Sequence, residues 1–256
     1  MDCVITAGGV PGPEDSLYRY TQGKAKAELA IEGRTMLEWV VGALQSASQI
    51  DEIVVVGLGD DRGMSFARPV HHLPNQGSLI ANVIAGIKWL RENKGVTGPV
   101  MLSSSDIPAL QGHMVDDFLD MCRPFDRSVY YNFVTKQVLE ARYPHSNRTY
   151  VKLKGVEIAG GDLLLVQSDL AYSHYDLWEA LINGRKHAWK LARIVGLRML
   201  LKLLTRRLSL ADIEGATERI LGNPAKILLN PYAEIAMDVD KAGQFELLQA
   251  DLAKKD

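Results

Sequence analysis

Apolar and polar positions alternate along the first half of the chain in a way that predicts strands and helices in turn. Short, mainly apolar runs at Cys3–Ile5, Glu52–Gly57 and Pro99–Leu102 are typical of strands buried on both faces of a parallel sheet. Apolar residues at helical spacing follow from Met36 to Leu44 and from Leu79 to Leu90. We therefore predict a doubly wound, mostly parallel α/β sheet with helices on both faces.

The second half of the chain is less regular and predicts shorter elements. No internal repeat, low-complexity segment or linker separates the halves, so we expect a single domain over residues 1–256. The further predicted elements are an edge strand at Arg68–Leu73, a helix at Met114–Met121, strands at Ser128–Thr135, Gln137–Ala141, Arg148–Leu153, Gly160–Val166, Ile227–Leu229 and Ile235–Asp238, and helices at Leu177–Leu208, Asp212–Leu221 and Gln244–Leu252.

Composition and charge are those of a globular protein that neither binds nucleic acid through a basic surface nor spans a membrane. The chain is 47% hydrophobic and 23% charged, as ordinary globular proteins are, and its net charge of −2 gives no basic field for nucleic acid. No apolar run is long enough to span a bilayer, and the N-terminus lacks the pattern of a signal peptide. The two cysteines, Cys3 and Cys122, are far apart in sequence and form no metal-binding pattern. A reducing, cytoplasmic setting is the default expectation for such a chain.

A glycine-rich loop follows the first predicted strand. Gly8 and Gly9 let the backbone turn sharply and approach a ligand closely, and successive backbone N–H groups in such a loop can form a concave anion site. Lys24 and Lys26 come next, before the first predicted helix. The order of strand, glycine loop, lysine and helix favours a site for a phosphate chain, although a Gly-Gly pair alone also fits a simple turn.

Three aspartates are candidates for a metal site. Asp106 follows a predicted buried strand, where a carboxylate can hold Mg²⁺; the alternative is a plain turn before Pro108. Asp238 and Asp240 flank Val239, so in extended backbone both face the same side. Asp240 could instead cap the final helix, and Asp238 is therefore the favoured ligand of the two.

Three segments resemble the signature of nucleotidyltransferases with a GT-A-type, Rossmann-like fold, and of the MobA-like group in particular. They are Ala7-Gly8-Gly9, Lys26-Ala27-Glu28-Leu29 and Gly33-Arg34-Thr35-Met36-Leu37. The resemblance implies that the first segment wraps a nucleoside triphosphate and that Lys26 contacts its phosphates. It also implies that Asp106 binds the metal ion and that the late acidic segment around Asp238 and Asp240 completes the metal site.

The same resemblance implies further binding residues. The nucleobase is expected to contact Gln76, Gly77, Ser78 and Asn82. A polar loop that caps the following helix is the alternative for these four residues. For the acceptor the resemblance implies Arg148, Gly161 and Asp162, in a half of the chain that runs over residues 126–256.

Two positions depart from the family pattern. Val10-Pro11-Gly12-Pro13 stands where an arginine usually follows the glycines, so Arg19 or Lys24 is expected to take its role. Ala25 replaces the proline that usually precedes the lysine. Lys24 also competes with Lys26 for the triphosphate.

The resemblance implies an enzyme that moves a nucleoside monophosphate from a nucleoside triphosphate to a small phosphorylated acceptor, with Mg²⁺ as cofactor and release of pyrophosphate. Residues 1–125 would bind the nucleotide. The altered loop leaves a second hypothesis, a non-catalytic protein that binds a nucleotide or a nucleotide-sugar. A glycosyltransferase of the same fold is disfavoured, because Ser-Ser-Asp-Ile-Pro stands where that class has a D-x-D motif.

Residues 185–207 carry eight basic residues and no acidic one, with leucines between them. The favoured interpretation is an amphipathic helix that packs on the sheet and exposes a basic face. A helix that lies on a membrane surface, or that docks an anionic partner or acceptor, is the alternative.

Overall fold

The structure, a computed structural model, describes residues 1–173 and 196–254. Its strands are β1 (Cys3–Thr6), β2 (Ala30–Ile31), β3 (Arg34–Thr35), β4 (Ile53–Gly57), β5 (His71–Pro74), β6 (Pro99–Ser104), β7 (Val129–Thr135), β8 (Val151–Leu153), β9 (Val156–Gln167) and β10 (Ala225–Leu229). Its α-helices are α1 (Tyr18–Thr21), α2 (Met36–Ser46), α3 (Leu79–Lys94), α4 (Gly112–Met121), α5 (Lys136–Arg142), α6 (Leu197–Leu204), α7 (Leu210–Leu221) and α8 (Ala242–Leu252). Short 3₁₀ turns lie at Lys26–Glu28, Ser168–Ala171 and Ala233–Ala236.

Eight strands form one central sheet in the order β10-β7-β9-β6-β1-β4-β5, with β8 paired to β9. The strands β5, β4, β1 and β6 run parallel, and β10 runs parallel to β7. Strand β9 lies between β6 and β7 and is antiparallel to both. The predicted mostly parallel α/β sheet is confirmed, with β9 as a reversed strand near its middle.

Successive residues of the central strands face opposite helix layers. Cys3 and Ile5 of β1 pack with α2 and α4, whereas Val4 between them packs with α3. This is why the predicted strands are apolar at every position rather than at alternate ones. The carboxyl ends of β1, β4 and β6 meet at one edge of the sheet, which is where ligands bind in folds of this class.

Two predicted strands are wrong. Residues 137–141 lie in helix α5, because the Thr135 hydroxyl caps that helix and accepts a hydrogen bond from the backbone N–H of Val138 at 3.3 Å. Residues 235–238 begin in the 3₁₀ turn Ala233–Ala236 rather than in a strand. Their apolar side chains are buried in the core, and so short an apolar run indicates burial without specifying a strand.

Several other predicted elements differ in extent. The edge strand predicted at 68–73 is β5 (His71–Pro74), and the strand predicted at 160–166 is part of the longer β9. The strand predicted at 148–153 begins only at Val151. Of the helix predicted over 177–208, residues 177–195 lie outside the described part of the chain, and α6 accounts for Leu197–Leu204. Among the helices of the described residues, none has the length and apolar content needed to cross a membrane.

Candidate functional site

The loop after β1 is held against the rest of the sheet edge by backbone contacts. The N–H of Ala7 donates to the carbonyl of Val56 at 2.8 Å, and the N–H of Lys26 donates to the carbonyl of Gly9 at 2.9 Å. The second bond brings Lys26 next to the glycines. A Cβ added to Gly9 would lie 3.7 Å from the Cε of Lys26. The glycine loop and the predicted phosphate-binding lysine therefore form one unit.

Gly57, at the end of β4, supports this loop, a role that the sequence does not predict. Its φ of +136° is a conformation that L side chains rarely adopt, and a Cβ there would lie 2.3 Å from the backbone nitrogen of Gly8. Only glycine allows the two backbones to approach so closely. The sequence shows a glycine at a strand end, but it cannot show which backbone passes beside it.

We predict that Gly57→Ala displaces the glycine loop and lowers the free energy of unfolding by roughly 2 kcal/mol, from the φ strain and the clash with Gly8. Chemical denaturation measures the stability, and nucleotide titration measures the effect on the loop. Gly243→Ala is the matched control, since Gly243 has an ordinary φ and open space around its added Cβ. Equal stability and nucleotide affinity in the two variants would contradict this role for Gly57.

Three carboxylates meet at the edge of the sheet beside the loop. Asp106 follows β6, and Asp238 and Asp240 precede α8; one oxygen from each lies within 4.8 Å of the others. The backbone N–H of Val239 donates to the carbonyl of Asp106 at 2.9 Å, and its side chain is buried. Because Val239 points into the core, Asp238 and Asp240 on either side of it both face Asp106. The alternation of side chains along extended backbone predicts this arrangement.

Lys26 reaches into this cluster. Its Nζ lies 2.6 Å from Asp106 Oδ2, 2.9 Å from Asp240 Oδ1 and 3.0 Å from the carbonyl oxygen of Val239. Burial alone would lower the pKa of Lys26, but the two carboxylates outweigh it and hold that pKa above its usual range. Asp240 pairs with Lys26 and does not cap α8, whose N-cap residue is Lys241.

Arg148 pairs with Asp238 on the other side of the cluster, and both side chains are largely buried. Asp162, on β9, is close to Asp238 and Asp106 as well. Burial, together with these carboxylates, raises the pKa of Asp162 well above its usual range. Its Oδ2 and the Arg148 Nε are buried without a hydrogen-bond partner among the described residues. The structure therefore gathers two predicted acceptor residues at the predicted metal site.

Gly161, the third predicted acceptor residue, packs against the neighbouring strand. A Cβ at this position would lie 3.1 Å from the carbonyl oxygen of Asn132 on β7 and 3.2 Å from Ile235 Cγ2. The register between β7 and β9 shifts at this point, between the Tyr131 and Phe133 pairs. Gly161 lies in this irregular stretch, which also contains Asp162, and its lack of a side chain allows β7 to approach closely.

The crowding of carboxylates has a consequence for stability. Burial, opposed by Arg148 and assisted by Asp106 and Asp240, raises the pKa of Asp238 from its ordinary 3.8 to about 7. Between these two values the folded protein binds more protons than the unfolded chain does. The free energy of unfolding therefore falls as pH rises through this window.

We predict that Asp238→Asn removes the contribution of Asp238 to this pH dependence in metal-free buffer. Relative to the wild type, the variant should gain roughly 2–3 kcal/mol of stability between about pH 5 and pH 8, since one pKa unit corresponds to about 1.4 kcal/mol. Urea unfolding at the two pH values measures the difference. Asp169→Asn, at an exposed position in the 3₁₀ turn after β9, is the control and should follow the wild type. Parallel pH profiles for Asp238→Asn and the wild type would contradict the prediction.

The donor set fits a divalent cation. Asp106, Asp238 and Asp240 supply the hard oxygen ligands that Mg²⁺ prefers, and Asp162 adds a fourth acidic group nearby. Two basic residues, Lys26 and Arg148, face these four carboxyl groups. The unpartnered Asp162 oxygen and the raised pKa of Asp238 both indicate that a bound cation would stabilise the site.

The predicted base-contact segment lies against the glycine loop. Asn82 is buried and its Oδ1 accepts from the N–H of Gln76 at 2.7 Å, while its Nδ2 would lie 3.1 Å from a Cβ added to Gly8. The Ser78 hydroxyl caps α3 by accepting from Ala81, as the alternative interpretation holds. Gln76 and Gly77 are exposed at the rim. The structure thus brings Asn82 to the loop, with Gln76 bonded to it, and both Ser78 and Asn82 are already engaged in local bonds.

The structure shows what surrounds the two positions that depart from the family pattern, the missing loop arginine and Ala25. Arg19, a candidate for the missing arginine, points to α8, where it pairs with Glu246 at 2.5 Å. Lys24 is exposed, and its side chain forms no ion pair or hydrogen bond within the described residues. The N–H of Ala25 donates to Glu28 Oε2 at 3.0 Å, a bond that a proline in this position could not make.

Comparison with known proteins agrees with this geometry. The family model of the MobA-like NTP transferase domain matches residues 3–204. The chain belongs to the MobA-like NTP transferase family. Membership in this family makes it, in general terms, a nucleotidyltransferase. No curated protein sequence matches the chain.

This family member is similar to several solved structures. A hypothetical transferase from Thermus thermophilus is 34% identical, with a TM-score of 0.81 over 95% of this chain and 98% of that one. The 2-C-methyl-D-erythritol 4-phosphate cytidylyltransferase from Thermus thermophilus is 15% identical, with a TM-score of 0.56 over 99% and 98% of the two chains. A CMP:2-keto-3-deoxy-manno-octonic acid synthetase complexed with CTP is 11% identical, with a TM-score of 0.58 over 100% of both chains. The last two similarities concern the fold alone.

Proposed function

We propose that this MobA-like protein is a Mg²⁺-dependent nucleotidyltransferase of the EC 2.7.7 type. It would move a nucleoside monophosphate from a nucleoside triphosphate to a small phosphorylated acceptor and release pyrophosphate. The observation that carries the proposal is the meeting of Asp106, Asp238 and Asp240 with Lys26 directly beside the glycine loop. A site with this composition holds a polyphosphate and a hard cation together, as phosphoryl chemistry requires.

In this proposal the loop and Lys26 bind the triphosphate. The backbone N–H groups of Gly8 and Gly9 would face the phosphates, while the N–H of Ala7 anchors the loop to Val56, and the Lys26 ammonium would supply a positive charge where pyrophosphate leaves. Asp106, Asp238 and Asp240 would hold Mg²⁺, which when bound neutralises phosphate charge. The protein's contribution is to position the reactants in line and to stabilise developing charge, so no covalent enzyme intermediate is needed.

The acceptor would be held by Arg148 and Asp162. The Arg148 guanidinium matches a phosphate group, and its buried Nε has no partner among the described residues. The Asp162 carboxyl, whose Oδ2 is also unpaired within the described part of the chain, suits a hydroxyl group of the same acceptor. Both residues lie in the second half of the chain, which we assign to the acceptor (126–256), with the nucleotide in residues 1–125. The free cysteines agree with a reducing compartment such as the cytoplasm.

One observation favours a second candidate, a protein of the same fold that binds a nucleotide or nucleotide-sugar without transferring it. The family's loop arginine is missing, and Arg19, which could replace it, is committed to Glu246. The loop would then have less positive charge for a leaving pyrophosphate than the catalytic members have.

A pyrophosphate-release assay distinguishes the two candidates. Each of the four nucleoside triphosphates is supplied with Mg²⁺ and a panel of sugar phosphates, polyol phosphates and molybdopterin-type acceptors. CTP comes first, because two structural neighbours are named for CTP or cytidylyl transfer. Release that needs one triphosphate and one acceptor class supports the transferase. Nucleotide binding without release, over the whole panel, would favour the non-catalytic protein.

A further inference from the structure

Helix α6 exposes a row of leucines. Leu197, Leu201 and Leu204 are 64%, 53% and 71% exposed, and their spacing puts them on one face of the helix. We expected this helix to pack its leucines on the sheet and to expose a basic face. In α6 the basic residue Arg198 is exposed, but these three leucines are exposed as well. A large apolar face on a described surface indicates a binding surface rather than a core element.

The leucines cannot turn inward, because the opposite face of α6 is already anchored. Met199 and Leu203 pack against Leu153, Ile158 and Leu208. Below the helix, the backbone N–H of Lys154 donates to the carbonyl of Leu208 at 2.8 Å. The exposed face is thus fixed in place, and the helix presents it without a change in the fold.

The charged residues of α6 and of the turn after it are all basic. Arg198, Arg206 and Arg207 are exposed, and Lys202 pairs with Asp212 at 2.6 Å on the adjacent helix α7. A groove between α6 and α7 lies beside these residues, and its lining includes Arg198, Lys202 and Arg219 together with Asp212, which is paired with Lys202. From 197 to 207 the sequence has no acidic residue. The surface is therefore an apolar stripe with a cationic rim.

We propose that this stripe, Leu197, Leu201 and Leu204 with the rim of Arg198, Arg206 and Arg207, binds the surface of an anionic phospholipid membrane. The leucines enter the boundary between headgroups and acyl chains, and the arginines bind lipid phosphates. A second copy of the chain fits poorly, because a two-fold interface would set the same basic residues against each other. A nucleic acid would leave the leucines exposed to water.

The test is co-sedimentation of the full chain with vesicles of phosphatidylcholine alone and of phosphatidylcholine mixed with phosphatidylserine. We expect binding to the mixed vesicles that weakens with added salt. Replacement of the three leucines by serine should reduce the affinity at least about a hundredfold, and Arg206→Gln with Arg207→Gln about tenfold. The matched control is Met121→Ser with Leu229→Ser, two exposed apolar residues elsewhere, and should bind as the wild type does.

A second measurement reports which surface meets the lipid. Both natural cysteines are buried, so an environment-sensitive dye on a Leu201→Cys variant labels this face selectively. Its emission should shift to the blue with anionic vesicles and not with neutral ones. The proposal is overturned if anionic vesicles do not bind the protein, if the triple serine variant binds as tightly as the wild type, or if the leucines instead hold a dimer in solution.

Discussion

Asp106→Asn should reduce pyrophosphate release by about 10²–10³-fold or more, because Asp106 lies at the centre of the site. Its carboxylate contacts Lys26 and lies with the other two candidate metal ligands. Its backbone carbonyl also accepts from Val239, and the substitution leaves that bond in place. The change removes charge and one ligand oxygen while it keeps the shape of the side chain. The effect should therefore fall on turnover.

The measurement is steady-state turnover at saturating triphosphate and Mg²⁺, together with thermal unfolding. The variant should stay folded, because the site holds more acidic than basic groups and the substitution removes only one of the excess acidic groups. Asp169→Asn, an exposed aspartate with a similar change in charge, should have full activity. Turnover in Asp106→Asn within a few fold of the wild type would remove Asp106 from the proposed metal site.

The second large effect is expected at Lys26. Lys26→Met should weaken triphosphate binding and lower kcat/KM by about 10²–10³-fold, because a preorganised positive charge beside the leaving group is lost. The neighbouring Lys24→Met is the matched control. Lys24 is exposed and has no partner among the described residues, so this variant should stay within about threefold of the wild type.

Nucleotide titration and initial rates on the two methionine variants separate the competing lysines. If Lys24→Met has the larger effect, the phosphate contact belongs to Lys24. The ion pairs of Lys26 with Asp106 and Asp240 would then only neutralise these two carboxylates and would have no role in nucleotide binding. A stability measurement accompanies the rates, since Lys26→Met also leaves these two carboxylates without their cation.

The fold could be predicted from the sequence where burial and periodicity agree. The strands β1, β4 and β6 are apolar at nearly every position because both of their faces are covered, and no other pattern fits such short runs. Prediction failed at residues 137–141. Five residues of mixed polarity do not distinguish a strand from a helix, and the cap at Thr135 favours the helix. It also failed at residues 235–238, whose apolar side chains pack in the core without joining the sheet.

The site could be predicted only in part, for a different reason. Glycines, a lysine and aspartates at strand ends indicate their own chemistry, and the parallel sheet predicts that they meet at one edge. The partners of Arg148 and Gly57 are set by contacts between distant parts of the chain, which one sequence does not encode locally. Nothing near Arg148 indicates Asp238, and nothing near Gly57 indicates the backbone of Gly8.

The carboxylates of the site come from opposite ends of the sequence, and this has a consequence for how the protein is made. The glycine loop, Lys26 and Asp106 leave the ribosome first, and Asp238 and Asp240 leave it after every strand of the sheet. On the proposed assignment, the emerging chain has its phosphate loop before it has a complete set of metal ligands. A translation product truncated before Asp238 would then contain every strand of the sheet and yet be expected to consume no triphosphate.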